Sequence, residues 1–127
     1  MNLTPSLRGE VTAKIGDVDY RLRLGFAELV QLESDTGLMI VEIAEQVAKR
    51  KLPMRLIGKL FFYGLAGSKA INPATNLPYT EEQSNELIND HGVLTFIPVV
   101  GSLLIGAVSG GKGAENAAVK ATGVPAA

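Results

Sequence analysis

Three places in the chain set acid, base or ligand chemistry close together. Asp90-His91 puts a carboxylate beside the only imidazole, the start of an acid–base pair. Glu81, Glu82 and Glu86 crowd carboxylates into one short stretch, the donor type that hard cations take. Gly110-Gly111-Lys112-Gly113 has the glycines and the lysine of a phosphate loop. None of the three completes its chemistry. Adjacent residues on a helix point apart, so Asp90 cannot orient His91, and an imidazole near a helix C-terminus is explained by the dipole there. Carboxylates in a first helical turn complement its positive end. The glycine fragment has no Gly-Lys-Ser/Thr ending after a strand, and neither do the glycines at 64 and 67 or at 106, 110 and 111. The chain has no cysteine and one histidine, which removes disulfides, thiolate ligands, cysteine nucleophiles and any site of two imidazoles. We expect no enzyme, no cofactor and no metal.

The elements that would have to position such groups point the same way. With 127 residues, 46% of them hydrophobic, the chain is long enough for one domain with its own core. Its 12 Lys and Arg against 13 Asp and Glu give a formal charge of -1, which offers nucleic acid no broad attracting field. The first residues show no basic stretch followed by an apolar run, so a cytoplasmic location is expected. The expected organisation is a domain over 1–108 and a flexible Gly/Ala-rich tail over 109–127.

Residues 7–15 alternate, with Leu7, Gly9, Val11, Ala13 and Ile15 on one side. Gly16-Asp17 supplies a two-residue turn, and Val18, Tyr20, Leu22 and Leu24 resume the alternation. A β-hairpin over 7–24 is expected, its apolar face needing cover from helices or a second copy. Five helices follow over 26–108, giving an α+β fold: an N-terminal β-hairpin and a bundle of about five α-helices.

The first helix runs from Phe26 to Asp35, with Phe26, Leu29, Val30 and Leu32 toward one side, and Gly37 as its stop. The second, Leu38 to Lys51, has the stripe Ile40, Ile43, Ala44, Val47 and the basic run Lys49-Arg50-Lys51 in its last turn. The third, Met54 to Ala66, is apolar nearly all round, with Ile57, Leu60, Phe61 and Leu65 on one face and Leu56, Phe62 and Tyr63 off it. After a loop over 67–79, Thr80 and Gln83 form a capping box for a fourth helix to about Asp90. In the fifth, Thr95 is read as the cap, which puts Pro98 in the first turn.

Two of these helices have more apolar surface than one core face needs. Leu56, Phe62 and Tyr63 on the third, and Phe96, Val99 and Leu103 on the fifth, are the expected partner-binding residues; a central core role is the competing reading for the third helix. Such surfaces also favour self-association, so a homo-oligomer is expected. No charge stands between Gly92 and Gly111, about the length of the roughly 20 residues that a bilayer span takes. Pro98, Gly101, Ser102 and Gly106 interrupt the stretch, and a buried or partner-facing helix is preferred to a span.

The order of motifs resembles the small tail assembly chaperones of the gene transfer agent type, encoded by tailed phages and prophages. It is carried by Arg8-Gly9-Glu10-Val11, by Ile15-Gly16-Asp17, by the strand Tyr20 to Gly25 and by the helix Phe26 to Glu33. It continues in Leu56-Ile57-Gly58-Lys59-Leu60, Gly64-Leu65 and Thr80-Glu81-Glu82, and so covers residues 8 to 108. The chain departs from the pattern at Phe26, where the family has a small residue, and in a longer loop over 71–79. The resemblance implies a chaperone that binds the tape-measure protein, meets the tail-tube protein, works in the host cytoplasm and is absent from the mature particle. The alternatives are a structural tail completion or adaptor protein of the virion, and a small membrane-associated phage protein.

Overall fold

The computed structural model describes residues 3–5 and 10–109. Alternation builds the hairpin as expected, with β2 over Val11–Ile15 and β3 over Val18–Leu22, antiparallel in the register Val11↔Leu22, Ala13↔Tyr20, Ile15↔Val18. The described strand begins at Val11; Leu7 and Gly9 lie outside the described residues. A short strand that the sequence did not suggest, β1 over Leu3–Pro5, pairs antiparallel with β2 and extends the hairpin to the order β1-β2-β3. Pro5 is compatible with that place because β1 is an edge strand. One face of the hairpin is buried through Val11, Ala13, Ile15, Tyr20 and Leu22. Val18, expected on that face, is 49% exposed at the turn end of the sheet.

Among the described residues five helices follow: α1 Phe26–Thr36, α2 Ile40–Ala48, α3 Met54–Gly67, α4 Glu81–His91 and α5 Val93–Val108. The loop between α3 and α4 holds a minimal antiparallel pair, β4 Ile71–Asn72 with β5 Leu77–Pro78. α3 is the central element, packing on β3, α1, α4 and α5, while α5 also covers β2. Their buried side chains form one core with the sheet: Ile57, Leu60, Phe61 and Leu65 from α3, and Phe96, Val100 and Leu104 from α5. Phe61 and Phe96 meet edge to face at 4.8 Å, an arrangement in which the positive ring edge of one meets the negative face of the other.

The end of α3 is locked to the end of β3. Gly64 accepts a hydrogen bond from the Arg23 amide at 2.9 Å, and the Ser68 hydroxyl donates to the Arg21 carbonyl. A Cβ on Gly67 would lie 1.8 Å from the Arg23 carbonyl oxygen, so only glycine permits this approach. A Cβ on Gly64 would stand 2.6 Å from Leu103 Cδ2, which shows how closely α5 crosses α3.

Helix starts were legible where side chains define them. Thr80 Oγ1 accepts from the Gln83 amide at 3.1 Å and Gln83 Oε1 accepts from the Thr80 amide at 3.0 Å, the capping box expected for α4. Two expectations are corrected. α5 begins at Val93 directly after Gly92, not at a Thr95 cap; the Thr95 hydroxyl donates back to the His91 carbonyl at 3.0 Å. Pro98 therefore sits in the second turn, where it withholds the amide that the Leu94 carbonyl would otherwise receive. The basic run Lys49-Arg50-Lys51 follows α2 instead of filling its last turn. Beyond Ser109 the expected tail lies outside the described residues.

Candidate functional site: the outer face of α5

The residues expected to face a partner divide sharply. Leu56, Phe96, Val99 and Leu103 are each 0% exposed within the core, and so cannot serve as a surface of this fold. Phe62 and Tyr63 are half-buried with their rings 5.2 Å apart. Tyr63 is further committed: its hydroxyl donates to Asp35 Oδ2 and ties α3 to α1. Asp35 also accepts from Gln31 at 3.1 Å, and Lys59 reaches from Asp35, at 4.0 Å, to Glu81 of α4 at 2.6 Å. The Tyr63 and Gln31 hydrogen bonds hold the Asp35 carboxyl below its ordinary range. Burial first, then the bond to Asp35, push the Tyr63 hydroxyl up to about 12. This cluster joins α1, α3 and α4 and has a structural role.

Surface apolar area survives elsewhere. On α1, Phe26 is 83% exposed and Val30 also faces outward, so the first helix packs mainly through Leu32 and Leu29 and not through the four residues expected. The longer exposed stripe is on α5. Leu94, Ile97, Pro98, Gly101, Ser102, Ile105 and Val108 lie on its outer side, either exposed or half-buried, and recur at the spacing of one helical face. Leu94 is 78% exposed. The inner side of the same helix holds Phe96, Val99, Val100, Leu103 and Leu104, all buried. α5 thus carries two apolar sides and no charge.

The outer side forms one wall of a groove of about 510 Å³. Ile97, Pro98, Gly101 and Ile105 make that wall, and Val47, Arg50 and Leu52 make the other. The helices cross where a Cβ on Gly101 would meet Val47 Cγ1 at 3.5 Å, so small residues bring the floor close to α2. A second cleft, about 550 Å³, opens between α3, α4 and the start of α5. It is lined by Arg55, Lys59, Glu81, Asn85 and Asn89 beside Met54 and Ile88, and Lys59 and Glu81 already neutralise each other there.

The residues that could have suggested other chemistry are placed apart from the groove. His91 ends α4, its ring lying over the hairpin turn, 3.0 Å from where a Cβ on Gly16 would be. Glu81 and Glu82 stand in the first turn of α4, and no cluster of three metal-ligating side chains occurs among the described residues. Among the described residues no helix is long and apolar enough to cross a membrane. α5, at 16 residues, spans about 24 Å against the roughly 30 Å of a hydrocarbon core.

The outer stripe of α5 was missed because a helix apolar on all sides has no preferred face. A weaker signal was present. Thr95, Ser102 and Ser109 recur every seven residues and mark the side turned away from the core.

Compared with known proteins, residues 8–110 match a family model described as phage tail tube protein, GTA-gp10. No curated protein and no solved structure matches the chain.

Proposed function

Because the chain belongs to the phage tail tube protein family, GTA-gp10, and so to the proteins of phage tails, we propose that it is a tail assembly chaperone. In this reading it binds the tape-measure protein and tail-tube subunits while a long tail is built, works in the host cytoplasm, has no catalytic role and leaves before the particle is complete. The observation that carries the reading is α5, an uncharged helix with one side in the core and the other on the surface.

The magnitude suits a transient partner. Fully burying an exposed Leu, Ile or Val side chain contributes about 1.5–3 kcal/mol. Leu94, Ile97 and Val108 are already partly covered, so a partner helix gains less than that from each. Association itself costs an estimated 4–15 kcal/mol. A few such contacts with a groove of this size support weak, reversible binding, which is what a protein displaced during assembly requires.

Co-expression tests the reading. Tape-measure protein should stay soluble beside the wild-type chain and precipitate beside Ile97→Asp. If neither tape-measure nor tail-tube protein is retained by the wild type, the chaperone reading fails. The family description, which names a tube protein, favours a second reading as a structural tail completion or adaptor protein. Mass spectrometry of purified particles separates the two: a chaperone is missing there, and a structural component is present in fixed ratio.

A further inference from the structure

We infer that the groove between α2 and α5 is selective for an acidic amphipathic helix, with Arg50 receiving a carboxylate at the edge of the partner's aliphatic stripe. The inference rests on the outer face of α5 being a partner surface, and adds the chemistry of what that surface takes.

Arg50 is held in the left-handed region, at φ 56. Glycine adopts that conformation without strain just beyond a helix, whereas a residue with a Cβ is strained there. The backbone alone would favour glycine, so a side chain at this place calls for a use. Arg50 is exposed and is the one charged residue that lines the groove. Among the described residues it has no ion pair and no side-chain hydrogen bond, and the same holds for Lys49 and Lys51 on either side of it. The groove lining contains no Asp or Glu. Attraction to the C-terminus of α2 accounts for basic residues near Ala48, but not for the left-handed backbone of the one that lines the groove.

The shape points to a helix. Val47 closes the floor at Gly101, and the small residues at 101 and 102 keep the α5 wall low, so the ridge of another helix can lie along the groove above that floor while a guanidinium at the rim takes a carboxylate in a fixed orientation. A second copy is a poor occupant, because a two-fold pairing of groove on groove would bring both basic runs into one interface. The chain's own segment 110–127 is also poorly suited: it offers Glu115 against Lys112 and Lys120, and alanines in place of large aliphatic side chains.

The test uses the full chain and three fluorescein-labelled 18-residue helical peptides. Two share a Leu/Ile stripe, one flanked by glutamates and the other by lysines; the third has serines in the stripe. In fluorescence anisotropy the glutamate peptide should bind at least tenfold tighter than the lysine peptide, with the gap narrowing at high salt, and the serine peptide should not bind. Arg50→Glu should invert the preference. Arg50→Gly should abolish it without lowering the melting temperature, which separates lost recognition from lost folding. Equal binding of the two charged peptides, binding by neither, or a preference unchanged in Arg50→Glu overturns the inference. It is also overturned if removing residues 110–127 tightens peptide binding tenfold, or if Ile97→Asp dissolves a dimer seen in sedimentation, since the groove would then belong to the tail or to a second copy. Retention of tape-measure protein by wild type and Arg50→Glu alike would leave the chaperone role standing and remove this inference. Charge selectivity in the peptides without any hold on tape-measure protein would do the reverse.

Discussion

α4 and α5 are consecutive helices separated only by Gly92, yet they are held in opposite ways. α4 is polar, begins with a complete capping box, carries Glu81 and Glu82 at its positive end and His91 at its negative end, and buries one polar side chain, Ser84. Local chemistry accounts for nearly all of it. α5 has no charge, no side-chain cap and a proline in its second turn, so it stands only because α3 and the sheet accept its inner side. A helix built by its own ends can be read from sequence down to its first residue, while a helix built by its surroundings reveals its existence but not its orientation.

Five measurements put that contrast at risk. The largest effect is expected for Leu103→Asp, which puts an unpaired charge at a 0% exposed position where α5 crosses Gly64. A buried charge without a partner costs several kcal/mol, a large part of the roughly 5–15 kcal/mol that holds a domain together, so the cooperative thermal transition should vanish. The same change at Ile97, 40% exposed on the outer side, should cost far less, about 1 kcal/mol, leaving a cooperative melt while partner capture is lost. If Ile97→Asp unfolds the chain, the two sides of α5 are not different in kind. In α4, Thr80→Ala removes the cap and should cost about 1 kcal/mol in denaturant unfolding.

The smallest effects concern single polar groups and pH. The Ser84 hydroxyl is buried with no hydrogen-bond partner among the described residues, so Ser84→Ala should be neutral or stabilising by up to about 1 kcal/mol; a clear loss would reveal a bond not visible in the fold. The Asp35–Tyr63 pair should add gentle pH dependence at both extremes. Asp35 has a lowered pKa, so its contribution is complete above its ordinary value of 3.8 and declines as pH falls through the lower folded value. Tyr63 is raised from 10.0 to about 12, so its contribution is complete below pH 10 and declines between the two values. Tyr63→Phe should flatten both arms in a pH series of chemical unfolding.

The same division explains what could be read in advance. The period-two pattern located β2 and β3, and the Thr80–Gln83 box fixed the start of α4, because side chains and backbone there obey a local rule. β1 could not be found, since three residues ending in proline carry no periodic signal and acquire strand geometry from pairing with β2. Which side of α5 is buried could not be read for a related reason. Phe96, Val99 and Leu103 are as apolar as Leu94, Ile97 and Ile105, so composition cannot choose between them. The choice is made by Gly64, whose missing side chain admits Leu103 and so turns that side of α5 inward. Arg50 was read as part of a dipole-complementing run because its left-handed backbone leaves no trace in the order of residues.

The locking of β3 to the end of α3, with α5 laid over β2, has a consequence during synthesis. The hairpin is complete once residue 22 has been made, but its greasy side is closed by residues 57–65 and then 96–104. A ribosome therefore carries an uncovered sheet until residues 96–104 have emerged, and the sheet and α3 share a closed core only then. Pairings so distant along the chain slow closure, so this protein should itself be exposed to aggregation while it is being made.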